Sequence, residues 1–254
     1  MTLLVEAGAA GLKFARLEGG APGAVGAVTH RGVEPADWQA PLLALAPVPR
    51  RVVVANTAGA AFGARFGDWT RSRWHVAAEF PVALRTVGEL GVRNGHAEPA
   101  TLPVDRWLAL LAAWRRAEAA LLVVSAESSV SVDLVDDTGR HRGGYLLPGE
   151  RLMREALHSQ TSGIAAAAMQ DEAAVEEAFG VNTAGAVQQG ARLAIAAVIA
   201  RAALALEAAG AAAPRIFMTG AAMPELAPLM TGPIERVPHL VLEGLALLAA
   251  GGAS

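Results

Sequence analysis

Short apolar runs occur twice along the chain in the same relation to helical sequence, once within residues 1–60 and again within residues 118–148, and this doubling narrows the fold more than any other feature. In the first set, residues 3–5 (LLV) and 12–17 (LKFARL) flank the glycine-rich AGAAG, which predicts strand, turn and strand. RVVVA at 51–55 is a β-branched run suited to a buried strand, and the following NTAGAAFGARFG opens a small helix. In the second set, ALLVVS at 120–125 reads as a strand buried on both faces. SVSVDLV at 129–135 alternates and pairs with it, DDTG makes a turn, and residues 142–147 return as another strand. Between the sets, DRWLALLAAWRRA at 105–117 carries a helical stripe through Trp107, Leu108, Leu111 and Ala112. Residues 182–209 hold helix formers without proline, RIFMT at 215–219 is a strand ending in Gly220, and residues 240–249 close the chain as a helix. Two α/β halves of similar build follow, residues 1–116 and 117–254, with no linker rich in Pro, Gly or Ser between them.

Composition removes several classes of function. A chain that is 53% hydrophobic and 18% charged, with net charge −3, is not disordered and offers no broad positive field for nucleic acid. The 58 alanines and 27 glycines make up a third of the 254 residues, so helices built from them approach closely. With no cysteine there is no disulfide, thiolate zinc site or cysteine nucleophile. The opening MTLLVEAGAAGLKF lacks the basic lead-in of a signal peptide. The longest stretch free of Asp, Glu, Lys and Arg, 156–170, is 15 residues, below the roughly 20 that a spanning helix needs. A cytoplasmic protein without membrane contact is expected. The six histidines have no metal-ligand spacing. SSVS lacks a G-x-S-x-G context, and neither a Walker A nor a Rossmann fingerprint is present.

Five segments, in order over nearly the whole chain, resemble the type III pantothenate kinases, a family of the acetate and sugar kinase, Hsp70 and actin superfamily. GVRNGHAEPATLPVDRWLALLAAWRR at 91–116 is similar to the family's stretch of Asn, Tyr, Pro and Gly-x-Asp-Arg. HRGGYLLPGERLMREAL at 141–157, FGVNTAGAVQQG at 179–190, RIFMTGAAMPEL and HLVLEGLALLA complete the match. The resemblance implies two ribonuclease-H-like (actin-like ATPase) domains with a cleft between them. It further implies ATP with Mg2+, a monovalent cation (K+ or NH4+), and phosphorylation of pantothenate, the first step of coenzyme A biosynthesis. By the same resemblance Asp105 is the catalytic base, while His96, Pro103 and Arg106 line the substrate site. Thr183 reaches the neighbouring subunit's pantothenate in a homodimer. Glu6, Gly8, Lys13, Ser128 and Gly220 hold the nucleotide, with Glu6 and Ser125 at the metal positions. From the residues alone Asp105 has a second reading, an N-cap for the helix that follows, with Arg106 solvated.

The chain departs from the family at both phosphate loops. Where the family has Asp-x-Gly-Asn-Thr, this chain has Glu6, Ala7, Gly8, Ala9 and Ala10, followed by Lys13 at the family's lysine. An alanine donates no side-chain hydrogen bond, and each charge-assisted bond lost costs roughly 1.5–3 kcal/mol. Where the family has Asp-x-Gly-Thr, this chain has Ser125, Ala126, Glu127 and Ser128, so the cation-binding carboxylate becomes a hydroxyl and a glycine becomes an acid. His96 takes the place of Tyr, Pro103 that of Gly, and Gly220-Ala221 that of Gly-Gly. The expectation is a homologue whose catalysis is weakened or lost. Its alternative is a non-catalytic pseudokinase in a binding or regulatory role, such as a transcriptional accessory factor.

Overall fold

The glycine-rich break between the first two apolar runs is where β1 (Thr2–Ala7) turns back into β2 (Gly11–Glu18) in the computed structural model, which describes residues 1–9, 11–30, 32, 34–170, 179–230 and 232–251. Two short strands follow, β3 (Ala21–Pro22) and β4 (Gly26–Thr29), and both pair with β2. Pro35 opens α1 (Pro35–Leu43) at the position where a missing N–H costs nothing. The RVVVA run forms β5 (Arg51–Asn56) and lies parallel to β1. Next come α2 (Ala60–Trp74), β6 (Ala78–Glu79), which is parallel to β5, and α3 (Val104–Ala117). The sheet order is β3-β2-β1-β5-β6. Its α1 and α2 face is filled by Leu3, Val5, Phe14, Trp38, Phe62 and Phe66. Trp38 and Phe66 stack there with ring centres 5.8 Å apart.

The second set of runs gives an antiparallel meander, β7 (Leu121–Ala126), β8 (Ser129–Val135) and β9 (His141–Pro148). Leu121 to Val124 are all buried, as a strand covered on both faces requires. Helices α4 (Glu150–Gln160), α5 (Ala165–Ala168) and α6 (Thr183–Ala208) precede β10 (Arg215–Thr219), which runs parallel to β7. After α7 (Met223–Leu226), β11 (Ile234–Arg236) pairs in parallel with β10. The order is β11-β10-β7-β8-β9. Ile195, Ile199, Ala202 and Leu206 of α6 pack on Leu122, Val124, Val130, Val132 and Met218 of the sheet. Both sheets share one plan, with antiparallel partners on one side of the first strand and two parallel strands on the other. This is the ribonuclease-H-like α/β arrangement.

Chain order misplaces one element. Residues 240–249, assigned with the second half, form α8 (Leu240–Ala250), which packs on β1, β2, β3 and β5. The compact units are therefore Met1–Arg116 with His239–Ser254, and Ala117–Pro238. Gly244 makes the docking possible, because a Cβ there would lie 2.1 Å from the Leu108 carbonyl oxygen of α3. Arg116 of α3 holds Glu243 of α8 through two bonds of 2.8 Å. Among the described residues, four helices are absent from the sequence reading, the short α5 and α7 and the longer α1 and α4. Prolines 35 and 41 punctuate α1, and α4 is largely polar, with Arg154 as its buried residue. α2 is also longer than the small helix expected, running 15 residues. No helix is long and apolar enough to cross a membrane among the described residues.

Candidate functional site

The β1–β2 hairpin carries the first group of candidate residues. Glu6 and Lys13 are cross-strand partners, and their side chains meet with Nζ 3.4 Å from Oε1. The turn closes through Gly8 N–H donating to Gly11 O at 3.0 Å; Ala10 lies outside the described residues. Two residues that sequence reasoning missed tie this turn from outside. His30 Nε2 donates to the Gly8 carbonyl at 2.7 Å, and its ring stacks on Phe62 with centres 4.4 Å apart. Thr57, just beyond β5, donates its N–H and its hydroxyl to the Ala7 carbonyl at 2.8 and 3.2 Å. Bonds aimed at backbone carbonyls leave no residue pattern in a sequence, so neither could be read there. His239, the residue before α8, belongs to the same unit. Burial, reinforced by the Lys13 charge and opposed by Glu243, holds its imidazole below the ordinary value of 6.5 and keeps it neutral at pH 7.

Magnesium in phosphoryl-transfer sites is held by one or two carboxylates together with substrate phosphates, so no dedicated protein cage is required. Among the described residues no group of three or more His, Asp or Glu side chains could hold a metal alone. Glu6, whose side chain is 16% exposed, offers one carboxylate beside the turn. That donor fits a phosphate-bound divalent ion.

Asp105 stands in the first turn of α3, which begins at Val104. The N-cap reading fails. Pro103 occupies the position before the helix and its carbonyl accepts the Trp107 N–H at 3.1 Å, whereas Asp105 Oδ1 accepts from the Arg106 N–H at 2.8 Å. Both Asp105 and Arg106 are half-buried, poised between the core and solvent. His96 lies on the loop that leads into this helix, with Nδ1 3.3 Å from Thr101 Oγ1. Thr101 spends its hydroxyl proton on the Glu98 carbonyl at 2.7 Å, so His96 Nδ1 is the donor of that pair.

In the second unit the candidates gather at the carboxyl ends of β7 and β10. Ser125 and Thr219 are paired across the two strands, and Gly220 follows directly. Gly220 has φ +102°, and a Cβ there would fall 2.2 Å from the Ala126 carbonyl oxygen, so only glycine brings this turn over the end of β7. Ser128 lies in the exposed β7–β8 turn, where Glu127 N–H donates to Ser129 O at 3.0 Å and the Ser128 carbonyl accepts from Gly149 N–H at 2.9 Å. Ser125 faces Ser131 across the β7–β8 pair, and the Ser131 hydroxyl is buried without a hydrogen-bond partner. Thr183 is the exposed first residue of α6, directly after Asn182, whose Oδ1 caps the helix by accepting from Gly185 N–H at 2.8 Å. The structure thus unites Glu6, Gly8 and Lys13 in one unit and Ser125, Ser128 and Gly220 in the other. His96, Pro103, Asp105 and Arg106 share a single loop and helix start.

Comparison with known proteins gives a consistent picture. A profile of the family described as type III pantothenate kinase matches residues 2–204. The type III pantothenate kinase of Azoarcus sp. strain BH72 is 37% identical over 256 residues, covering 100% of this chain and 92% of that protein. The type III pantothenate kinase of Nitrosococcus oceani is 33% identical over 261 residues, covering 98% and 94%. Among solved structures, a protein from Sinorhizobium meliloti described as a 2-dehydro-3-deoxygalactonokinase superposes with TM-score 0.61 over 99% of this chain and 100% of its own, at 14% identity. At that identity the likeness speaks for the fold alone.

Proposed function

The chain belongs to the type III pantothenate kinase family, and from that premise we propose that it transfers the γ-phosphoryl group of ATP to the hydroxyl of pantothenate. The observation that carries this reading is Asp105, a half-buried carboxylate in the first turn of α3 with Arg106 beside it. Asp105 accepts the hydroxyl proton as the oxygen attacks phosphorus in line, a contribution of roughly 10²–10⁴ in rate. Arg106 presents a planar fork suited to the pantothenate carboxylate. Lys13, cross-strand from Glu6, supplies a cation for the phosphates, and Gly220, whose positive φ only glycine takes without strain, turns the chain at the end of β10. Magnesium, when bound with ATP, neutralises charge developing on the transferred group, with Glu6 as its protein carboxylate.

The loop substitutions set the rate. Alanines at 9 and 10 remove side-chain donors, and Glu127 adds negative charge to the second turn, so turnover is lowered relative to a family member with intact loops. Ser125 supplies one neutral oxygen and no charge, which does not fit the family's carboxylate-held monovalent cation. Turnover is therefore indifferent to exchange of K+ for a large organic cation. Thr183 reaches the partner's site in a homodimer. Support comes from α6, where Leu193 and Leu204 are 63% and 57% exposed, with Phe179 and Val181 exposed just before it. Light scattering that gives the dimer mass supports this, and a monomer removes Thr183 from the site. The function itself is tested by a coupled assay with magnesium-ATP and pantothenate at high protein concentration. Turnover of the wild type is the expected result. Absence of both turnover and ATP binding at millimolar nucleotide overturns the reading in favour of a non-catalytic role.

A further inference from the structure

We propose that Arg85 is a positioning residue for the substrate loop, residues 94–101, an inference that rests on the pantothenate kinase reading above. Arg85 lies outside every segment that carries site chemistry in the sequence, yet its guanidinium binds three main-chain carbonyls of this loop. Nη1 donates to Asn94 O and His96 O, each at 2.7 Å, and Nη2 donates to Ala97 O at 2.9 Å. The tie is reciprocal, because the Asn94 N–H donates back to the Arg85 carbonyl at 2.8 Å.

The loop needs such an anchor. Apart from a single 3-10 turn at Pro99–Thr101 it has no regular structure, so its carbonyls have no ladder to join. Asn94 supplies the inner support. Its side chain is fully buried, Nδ2 donates to Pro99 O at 3.2 Å, and Oδ1 accepts from the His96 N–H at 3.0 Å. Arg85 supplies the outer one. His96 is held from both sides at its own main chain, through its N–H by Asn94 and through its carbonyl by Arg85. The same loop runs through Leu102 and Pro103 into the helix turn of Asp105 and Arg106. Fixing residues 94–97 therefore fixes where the His96 ring stands as pantothenate arrives. Arginine suits the task because a planar fork reaches several acceptors in one geometry, whereas a lysine ammonium is a point donor on a flexible stem. The side chain is exposed, so its loss removes little core packing.

The test compares wild type with Arg85→Lys and Arg85→Gln in the full-length protein. Displacement of a substrate-holding group by about 1 Å costs up to roughly a hundredfold. The expected result is a KM for pantothenate raised about tenfold or more in both variants, with the KM for ATP within twofold of wild type and an unchanged melting temperature. Amide hydrogen exchange in peptides covering 94–102 should speed up, and exchange in the β1–β2 hairpin should not. Unchanged pantothenate kinetics beside normal wild-type turnover overturn this proposal and leave the kinase reading intact. Unchanged exchange in the 94–102 peptides overturns it as well, since the loop would then be held without Arg85. Absence of both wild-type turnover and ATP binding would overturn the kinase reading, and the exchange measurement, which needs no activity, would then decide alone whether Arg85 anchors the loop.

Discussion

The hairpin turn that joins β1 to β2 and the one that joins β7 to β8 occupy the same place in two sheets of the same plan, yet they are held in different ways. In the first unit the turn is open at Gly8, while a Cβ on Gly11 would meet the Val28 carbonyl oxygen at 2.8 Å. A Cβ on Gly8 would find nothing nearer than the Gly11 carbonyl oxygen at 3.8 Å, and the fixing bonds arrive from outside, from His30 and Thr57. In the second unit the turn is crowded by glycines of other segments. A Cβ on Gly149 would come within 2.7 Å of Ser128 O, and one on Gly220 within 2.2 Å of Ala126 O. The shared plan follows from the apolar runs, while the character of each turn follows from what packs against it. The lesson is that the topology of a sheet and the geometry of its turns are specified by different residues.

The largest expected effect breaks the two turns apart by the same substitution. Gly220→Ala places a Cβ at φ +102° against a carbonyl, and strained backbone of that kind costs about 1–3 kcal/mol before the clash is counted. Denaturant unfolding should show a loss of about 3 kcal/mol or more for Gly220→Ala and within about 1 kcal/mol for Gly8→Ala. Equal losses would contradict the contrast. A smaller effect sharpens it chemically. Glu127→Gly removes the acid from the second turn and should tighten magnesium-ATP binding about tenfold, roughly 1.4 kcal/mol, by calorimetry. Ser125→Asp places a carboxylate where this chain has a neutral hydroxyl and should give turnover a dependence on K+. Turnover of that variant that stays indifferent to K+ would refute the assignment of position 125.

The smallest effect concerns what the units share. Each ties its two parallel outer strands with an Arg–Glu pair in matching register. Arg51 meets Glu79 at 2.9 and 2.8 Å, two residues before Val53, the partner of Glu79; Arg215 meets Glu235 at 2.8 Å, two residues before Phe217, the partner of Glu235. The hydrogen bond from Arg51, opposed by burial, lowers the Glu79 carboxyl below its ordinary value of 4.5. That contribution is present above pH 4.5 and fades as the pH falls through the lowered value. Because both side chains are partly exposed, it amounts to no more than about 1 kcal/mol. Glu79→Gln should remove that much stability at pH 7 and nothing once the pH lies below the lowered value, as read by urea unfolding.

Much of this was legible in the chain. The runs at 3–5, 12–17, 51–55, 120–125 and 129–135 became strands because β-branched and alternating apolar residues fit a pleated surface. Residues 182–209 gave a helix of 26 residues because no proline interrupts a run dominated by alanine and leucine. The unit that receives α8 was not legible, since an apolar helix records burial and not its partner. The sequence also left Asp105 between N-cap and base, and the backbone at Pro103 removes the first. Arg85, His30 and Thr57 stayed hidden because each acts on carbonyls, which every residue has.

The central claim is that Asp105 deprotonates pantothenate for phosphoryl transfer from ATP. Its most direct measurement is the rate of phosphopantothenate formation by wild type and Asp105→Asn, with magnesium-ATP saturating. The account predicts a fall in kcat of about 10²–10⁴ in the variant with ATP binding retained. Product formed by Asp105→Asn at the wild-type rate would contradict it.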